Sequence, residues 1–507
     1  MLDDVPKDPD ICVIGAGVAG LVFARKLADT GLNILLVESG DRTQSQKAQS
    51  LNAGRSNLTD YPFAASRARV FGGTSTRWYG ACVQLDPTDF ETRSWMPSSG
   101  WPLKASDLAS YVEDARADFG LGPEAGANLN RPPFEHPDLQ AKTVGFSAPL
   151  DLGQRYEALI AKSTTVHCML NGTVTNLVPD SEGKRITSIW IAVEGKSAQE
   201  FAPGIVVLAC GGIENARLLL ASNSVHPKGV GNGRDVVGRY HMEHPIRTVG
   251  VLPIGNQAAS MRVFTDQTQS TSGKLQGTFG LSAEARAREG LMDLHLRCYR
   301  YSLFEDEEPI IEGKRALFEA ATVTERLRRV ASSTRPVTLR YLSWHTRNKI
   351  IRRARFTHLR LMAFVEQEPD PDNRLTLSRD KDAFGSPLPY LEYTESAEMT
   401  ESVRRSMETM ATALSEVGFP GLRHDEASLA HLKIYDDYGL HPMGGTRMSE
   451  NPRYGVVDKD CRVHEFANLF VAGSSVFPTG GAANPTWTIA ALALRLAETI
   501  HTKFRTT

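Results

Sequence analysis

Three glycines, Gly15, Gly17 and Gly20, stand in the spacing G-x-G-x-x-G directly after the apolar run ICVI. An acid, Glu38, ends the next apolar run, near the separation of about 20 residues at which a carboxylate can accept bonds from ribose hydroxyls. Each glycine has its own task. The first permits a tight turn, the second lets backbone approach a pyrophosphate, and the third lets a helix pack against a strand. A helix starting here offers unpaired N–H groups and a positive dipole end to phosphate oxygens. Glu38 would repel a 2′-phosphate, which leaves NAD and FAD as candidate dinucleotides. Far along the chain, His441 precedes Gly444 and Gly445, and Asn484 precedes Pro485 and Thr486. Histidine is well suited to take up a proton near neutrality. Alone, both are weak signals: a single histidine in a glycine loop, and an asparagine whose ordinary role before proline is to cap a helix.

These residues need elements to hold them. Residues 11–14 and 34–37 read as strands around a helix over 21–30 that Gly31 ends, a βαβ unit. The stretch 64–83, AASRARVFGGTSTRWYGACV, is rich in small residues and embeds Trp78 and Tyr79, a composition suited to a loop facing a cofactor. A helix capped at Ser106 is expected next, and residues 122–165 read as irregular and then helical. Strand-like runs over 166–178 and 186–193, separated by PDSEGKR, predict an antiparallel excursion. A strand over 205–209 leads through Cys210-Gly211-Gly212 into a helix over 214–221, which returns the chain to the first sheet. The stretch GRYHMEHPIRTVG follows, then strand-like sequence to about residue 301 and a helical composition over 313–360. PDPDNRLTLS and FGSPLPYLEY form two runs around a turn, and an amphipathic helix is expected over 399–417. A strand over 469–472 and a long apolar helix over 486–500 close the chain.

The 507 residues suffice for two or more domains with substantial cores. With 41% hydrophobic and 23% charged residues and a net charge of -2, nothing global points to nucleic acid or membrane. Six scattered cysteines without a C-x-x-C pair argue against zinc and iron–sulfur sites and suit buried free thiols in a reducing compartment. The polar, acidic N-terminus does not read as a signal peptide, and no transmembrane run is present. Between residues 325 and 360 lie eleven Arg or Lys and one acid. That segment suits a solvated basic face, an oligomer contact, a membrane or partner surface, or a mouth attracting an anionic substrate.

Taken together, the opening glycines, the GGTSTRWYG loop, the ACGGIENARLLL helix and a C-terminal segment carrying HPMGGTRM, GVVD, NLFVAGSSVFPT and NPT resemble the glucose–methanol–choline (GMC) family of FAD-dependent oxidoreductases. The likeness runs from residue 11 to residue 500 and is thinnest over 255–360. It implies an α/β fold, α+β overall. A Rossmann-like FAD-binding domain would comprise 1–88, 160–250 and 438–507. The substrate domain would comprise 89–159 and 251–437, on a mostly antiparallel sheet flanked by helices. By the same resemblance Gly15, Gly17 and Gly20 face the pyrophosphate, Glu38 the ribose and Val174 the adenine. Gly72, Gly73, Ser75 and Trp78 line the path to the flavin, with Ala209 beside the cradle. Gly473 and the helix start at Asn484, Pro485 and Thr486 approach the ring, where a helix N-terminus favours negative charge.

His441 and Asn484 match the family's catalytic pair. Oxidising an alcohol removes a hydroxyl proton and a carbon-bound hydride; flavin takes the hydride, and His441 suits the proton. Asn484 is no base but can hold the same oxygen. Arg77 stands where some pyranose oxidases carry a flavin-linked histidine, so noncovalent FAD is expected and no metal. The motifs most resemble pyranose oxidases and bacterial glycoside 3-oxidases, which implies oxidation of a secondary hydroxyl of a sugar or glycoside to a ketone. Dehydrogenation of a polyol, aminosugar or other alcohol, and a lyase or other non-oxidative flavoenzyme, are the alternatives. The implied partners are the alcohol and an acceptor (oxygen, a quinone or a carrier protein). A cytoplasmic protein is expected, with a homo-oligomer among the options.

Overall fold

A computed structural model describes residues 5–59, 61–148, 151–270, 273–301, 356–424 and 440–506. Its first sheet is fully parallel, in the order Leu469–Val471, Ile205–Leu208, Ile11–Ile14, Ile34–Val37, Val166–Met169. The strands ICVI and ILLV are buried along their whole length. Parallel strands covered on both faces read as unbroken apolar runs, which is why these two are evident in the sequence. Helix Val18–Leu27 packs against the C-terminal helix Thr486–Thr506, which in turn packs on Ala105–Asp118. Trp487 locks the latter contact: it is 1% exposed and its indole N–H donates to the Val112 carbonyl at 2.9 Å. Truncating such a side chain costs about 3–5 kcal/mol.

The second sheet has eight strands. Its path runs Arg423–His424, Ile246–Pro253, His358–Val365, Leu294–Tyr301, Gly273–Leu281, Leu139–Phe146 and Ala81–Cys82, with Thr268–Ser270 paired to Gly273–Leu281. Every neighbour pair is antiparallel. One face packs on helix Ala397–Glu416 through Leu296, Leu361, Ala363, Met407 and Met410. Because strand side chains alternate, Leu294, Leu296 and Cys298 enter that core, while His295, Arg297 and Tyr299 stand on the opposite face.

Several expectations need correction. The first helix begins at Val18, not residue 21, because Gly17 itself is the residue before its first turn. The next long helix starts at Ala105 with Lys104 as its cap, and the Lys104 N–H donates to Asp107 at 2.8 Å; Ser106 lies inside the first turn. The run 166–178 is two strands, since Asn171 adopts a φ of 57° and turns the chain. Its first half extends the parallel sheet, and its second half, Thr173–Pro179, pairs with Ile186–Ala192 in a separate antiparallel sheet. Leu139–Phe146 is a strand within the stretch read as irregular, where four half-buried residues precede four buried ones and mask the alternation. Most of the expected helical segment 313–360, and residues 325–355 of its basic portion, lie outside the described residues; His358 onward is strand. Among the described residues no helix is long and apolar enough to cross a membrane. All six cysteines are free thiols.

Candidate active site

A cleft of about 1280 Å³ runs between the two sheets, bounded at one end by the glycine turn and Glu38 and at the other by His441 and Asn484. Of the residues singled out in the sequence, Gly20 and Gly72 alone do not line it. Both shape its walls from behind. A Cβ on Gly20 would lie 1.9 Å from the Gly15 carbonyl oxygen, and one on Gly72 (φ +100°) would lie 2.9 Å from Asp151.

The cradle end is made of backbone. Gly15 has φ +105°, and a Cβ there would stand 2.6 Å from the Ala209 carbonyl oxygen, so only glycine fits. Gly17 differs: its nearest neighbour would be the Gly73 Cα at 4.0 Å, and the room beside it opens on the cleft at the start of the helix. This is the geometry a pyrophosphate needs, an accessible helix N-terminus with no side chain in the way. The turn therefore fits a dinucleotide cofactor. Glu38 is 5% exposed, and its carboxylate accepts the Ala16 N–H at 2.9 Å and the Gly40 N–H at 2.8 Å. Burial raises its pKa against the lowering effect of those bonds and of Arg69. Ser75 donates to the Gly72 carbonyl at 2.7 Å, bracing the loop on which Gly73 and Trp78 reach the cleft. Val174 lines the wall on the strand after Gly172, and Ala209 donates its N–H to Ile14 at 2.8 Å.

Behind the same end lies a charge network that the sequence did not announce. Glu214 receives Arg67 at 2.6 Å, Arg69 at 2.8 Å and Arg217 at 3.1 Å. Burial alone would raise its pKa, yet the three guanidinium groups hold it well below the usual carboxylate range. Asp382 pairs with Arg217 at 2.6 Å and completes the balance.

The reactive end gathers side chains from four segments. Met242 and Met443 exchange backbone bonds at 2.9 Å, which sets His244 beside His441 with their Nδ1 atoms 3.1 Å apart. The loop before the C-terminal helix is tied to the second sheet by the Ala482 N–H donating to Asp293 at 3.1 Å. That tie brings Asn484, with Pro485 and Thr486, to the cleft beside Gly473. From the sheet, Arg297 Nη2 donates to Asn484 Oδ1 at 2.6 Å, and Asn484 Nδ2 lies 3.4 Å from His441 Nε2.

One proton arrangement satisfies this chain. Guanidinium only donates, so the Asn484 atom it meets is the oxygen and the other is the NH₂ donor. His441 Nε2 must then accept and carry a lone pair. Its Nδ1–H is left to donate to His244. Burial, followed by the neighbouring His244, Arg297 and His295, against which a further positive charge would stand, depresses the His441 pKa well below its ordinary value. Burial likewise lowers His244 to about 4 and, with Arg297, His295 to about 3. The site therefore holds a neutral imidazole whose lone pair meets only the long Asn484 N–H contact of 3.4 Å. A hydroxyl that displaces this contact can donate to the imidazole and accept from the amide.

Arg297, His244 and His295 were not singled out in the sequence. The available signal was a cation inside the alternating strand LHLRCYRY. Arg297 is 6% exposed and its guanidinium lies 4.2 Å above the Phe364 ring, on which His295 also stacks. Burial lowers its pKa to about 10. A cation–π contact supplies about 0.5–2 kcal/mol, whereas burying a charge without a partner costs several.

Two family descriptions match the chain: GMC oxidoreductase over residues 369–493 and FAD dependent oxidoreductase over residues 10–229. It is 25% identical to the fructose dehydrogenase large subunit of Gluconobacter japonicus, over 97% of each chain. It is also 25% identical to 6'''-hydroxyparomomycin C oxidase of Streptomyces lividus, over 97% of this chain and 91% of that one. The fold is shared with the solved structure of pyridoxine 4-oxidase from Mesorbium loti, at a TM-score of 0.57 and 16% identity over 98% of this chain and 99% of that one.

Proposed function

This chain belongs to the glucose–methanol–choline family of FAD-dependent oxidoreductases that act on CH–OH groups, and on that premise we propose that it oxidises a secondary hydroxyl of a sugar or glycoside to a ketone. The observation that carries the reading is His441 Nε2 standing 3.4 Å from the Asn484 amide at the cleft's inner end, where burial favours the neutral imidazole. Similarity to full-length relatives named for fructose and for 6'''-hydroxyparomomycin C supports a polyhydroxylated substrate.

FAD held in this cleft would supply the acceptor for the hydride of the carbinol carbon. Everything else is the work of the chain. Asn484 Nδ2 donates to the substrate oxygen and fixes its position. His441 Nε2 accepts the hydroxyl proton. His244, as acceptor for the His441 Nδ1–H, holds the imidazole in the tautomer the reaction needs. Residues 15–20 receive the pyrophosphate, Glu38 the ribose, Val174 the adenine side, and the helix start at Thr486 the ring. The domain division at residues 88, 159, 250 and 437 belongs to the same reading; the parallel sheet falls wholly in its first part, while Ala81–Cys82 and most of Ile246–Pro253, assigned to that part, join the second sheet.

Incubating the protein with sugars and glycosides and a quinone acceptor should yield a product lighter by two hydrogen atoms. If only non-sugar alcohols give such a product, the sugar reading fails. Arg77, whose guanidinium cannot form the flavin bond that a histidine forms, supports FAD held without a covalent bond. Acid precipitation should release all flavin to the supernatant, and flavin retained in the pellet would contradict this.

A further inference from the structure

We propose that Arg297 is the anion-binding residue of the substrate site, and that the alcohol oxidised here carries a carboxylate close in its carbon skeleton to the reacting hydroxyl. The inference rests on the reading of His441 and Asn484 as the alcohol-oxidising pair.

Arg297 lines the cleft from the second sheet and is 6% exposed. Among the described residues it forms no ion pair. Among them its one hydrogen bond is from Nη2 to Asn484 Oδ1 at 2.6 Å, and Nε is buried without a partner. Of the other strongly buried arginines, Arg447 donates to the Tyr454 and Ser98 carbonyls, and the rest meet carboxylates. Arg93 meets Glu366 at 2.6 Å, Arg217 meets Asp382 at 2.6 Å, and Arg286 pairs with Asp86 at 3.2 Å and with Asp293. Carboxylates are thus available a short way along the same strands, at Asp293 and Glu366, yet both are committed to other cations. The titratable groups facing Arg297 are Tyr299, Cys82, Tyr79, His295 and His441, none of them a carboxylate, and Asn484 and Phe364 contact its guanidinium.

A desolvated guanidinium of this kind is favourable once an anion meets it. Its Nη1/Nη2 edge is the planar donor pair that a carboxylate accepts with two parallel bonds. Since Nη2 touches Asn484 directly, a carboxylate held there lies one side chain away from the base. That distance sets how near the anion must be to the oxidised carbon. Tyr299 and Met362 line the cleft nearby and leave the rest of the substrate a mixed aromatic and apolar wall.

The test uses the holoenzyme and two probes that differ only in the anion, methyl β-D-glucuronide and methyl β-D-glucoside. Their binding is read anaerobically from the change in flavin absorbance. Glucuronide should bind at least about tenfold tighter, the effect of one charged hydrogen-bonding partner, and acetate should compete with it. Arg297→Gln should bring the ratio of the two affinities near one, and Arg297→Lys should restore part of it. Equal affinities in the wild type overturn the proposal without any variant. So does a preference that survives Arg297→Gln, or a variant that slows flavin reduction equally with both probes and leaves binding unaltered. Bleaching separates the two readings. If neither probe bleaches the flavin, sugar oxidation fails while the binding ratio still decides the role of Arg297. If the glucoside bleaches it and the ratio is one, the reverse holds.

Discussion

The two ends of the cleft solve different problems by different means. At the cradle end, neighbours in sequence make the site: Gly15 turns the chain, Gly17 leaves room and the following helix presents its N–H groups. At the reactive end, His244, Arg297, His441 and Asn484 come from segments far apart in the chain and meet through side chains. Holding a phosphate asks only for local backbone geometry. Taking a proton from a hydroxyl asks for a neutral base in a dry, positively flanked place, and long-range packing has to create that place.

Substitutions at the two ends should fail differently. The largest effect belongs to Gly17→Val, which puts a side chain where the cradle assignment expects the pyrophosphate. The purified protein should be folded but free of FAD, as its visible absorbance would report; normal flavin content would break the cradle assignment. Gly20→Ala acts on the wall instead, because its Cβ meets the Gly15 carbonyl oxygen. It should lower thermal stability by about 1–3 kcal/mol or more, with FAD loss following from that.

His441→Ala should keep FAD and lower the rate of flavin reduction by roughly a hundredfold or more, the usual size of a lost general base. An unchanged rate removes His441 from the mechanism. Asn484→Ala should be milder. It deletes one bond to the substrate and one from a guanidinium, each worth up to about 3 kcal/mol. A loss of about 10- to 100-fold in the same stopped-flow trace is expected, with the glycine cradle untouched.

The smallest and broadest effect is on pH. Histidines titrate near 6.5 when unfolded, and here burial lowers His441, with His244 at about 4 and His295 at about 3. The unfolded chain therefore binds more protons over that interval. Stability is complete above about pH 6.5 and declines as the pH falls toward 4 and then 3. Flavin reduction should be level above neutrality, with its acid limb below the ordinary histidine value. An acid limb above pH 6.5 would contradict a depressed base.

The same contrast explains what was legible in the sequence. The strands Ile11–Ile14 and Ile34–Val37 carry their burial in a run of four apolar residues, and the turn between them carries its chemistry in its spacing. His441 and Asn484 were legible only by resemblance, since neither position is unusual by itself. Asn484 in fact turns both polar side-chain atoms to His441 and Arg297. Arg297 was hidden because a cation on an alternating strand looks like an exposed face until Phe364, from the neighbouring strand, covers it. Leu139–Phe146 was missed for a related reason: its pairing with Gly273–Leu281 compensates for weak local alternation.

The account stands most directly on one measurement, anaerobic stopped-flow mixing of the holoenzyme with a panel of sugars and glycosides. At least one should bleach the flavin in a single phase and leave a keto sugar in an amount equal to the flavin reduced. If no sugar or alcohol bleaches it while dithionite does, the site is not an alcohol-oxidising one.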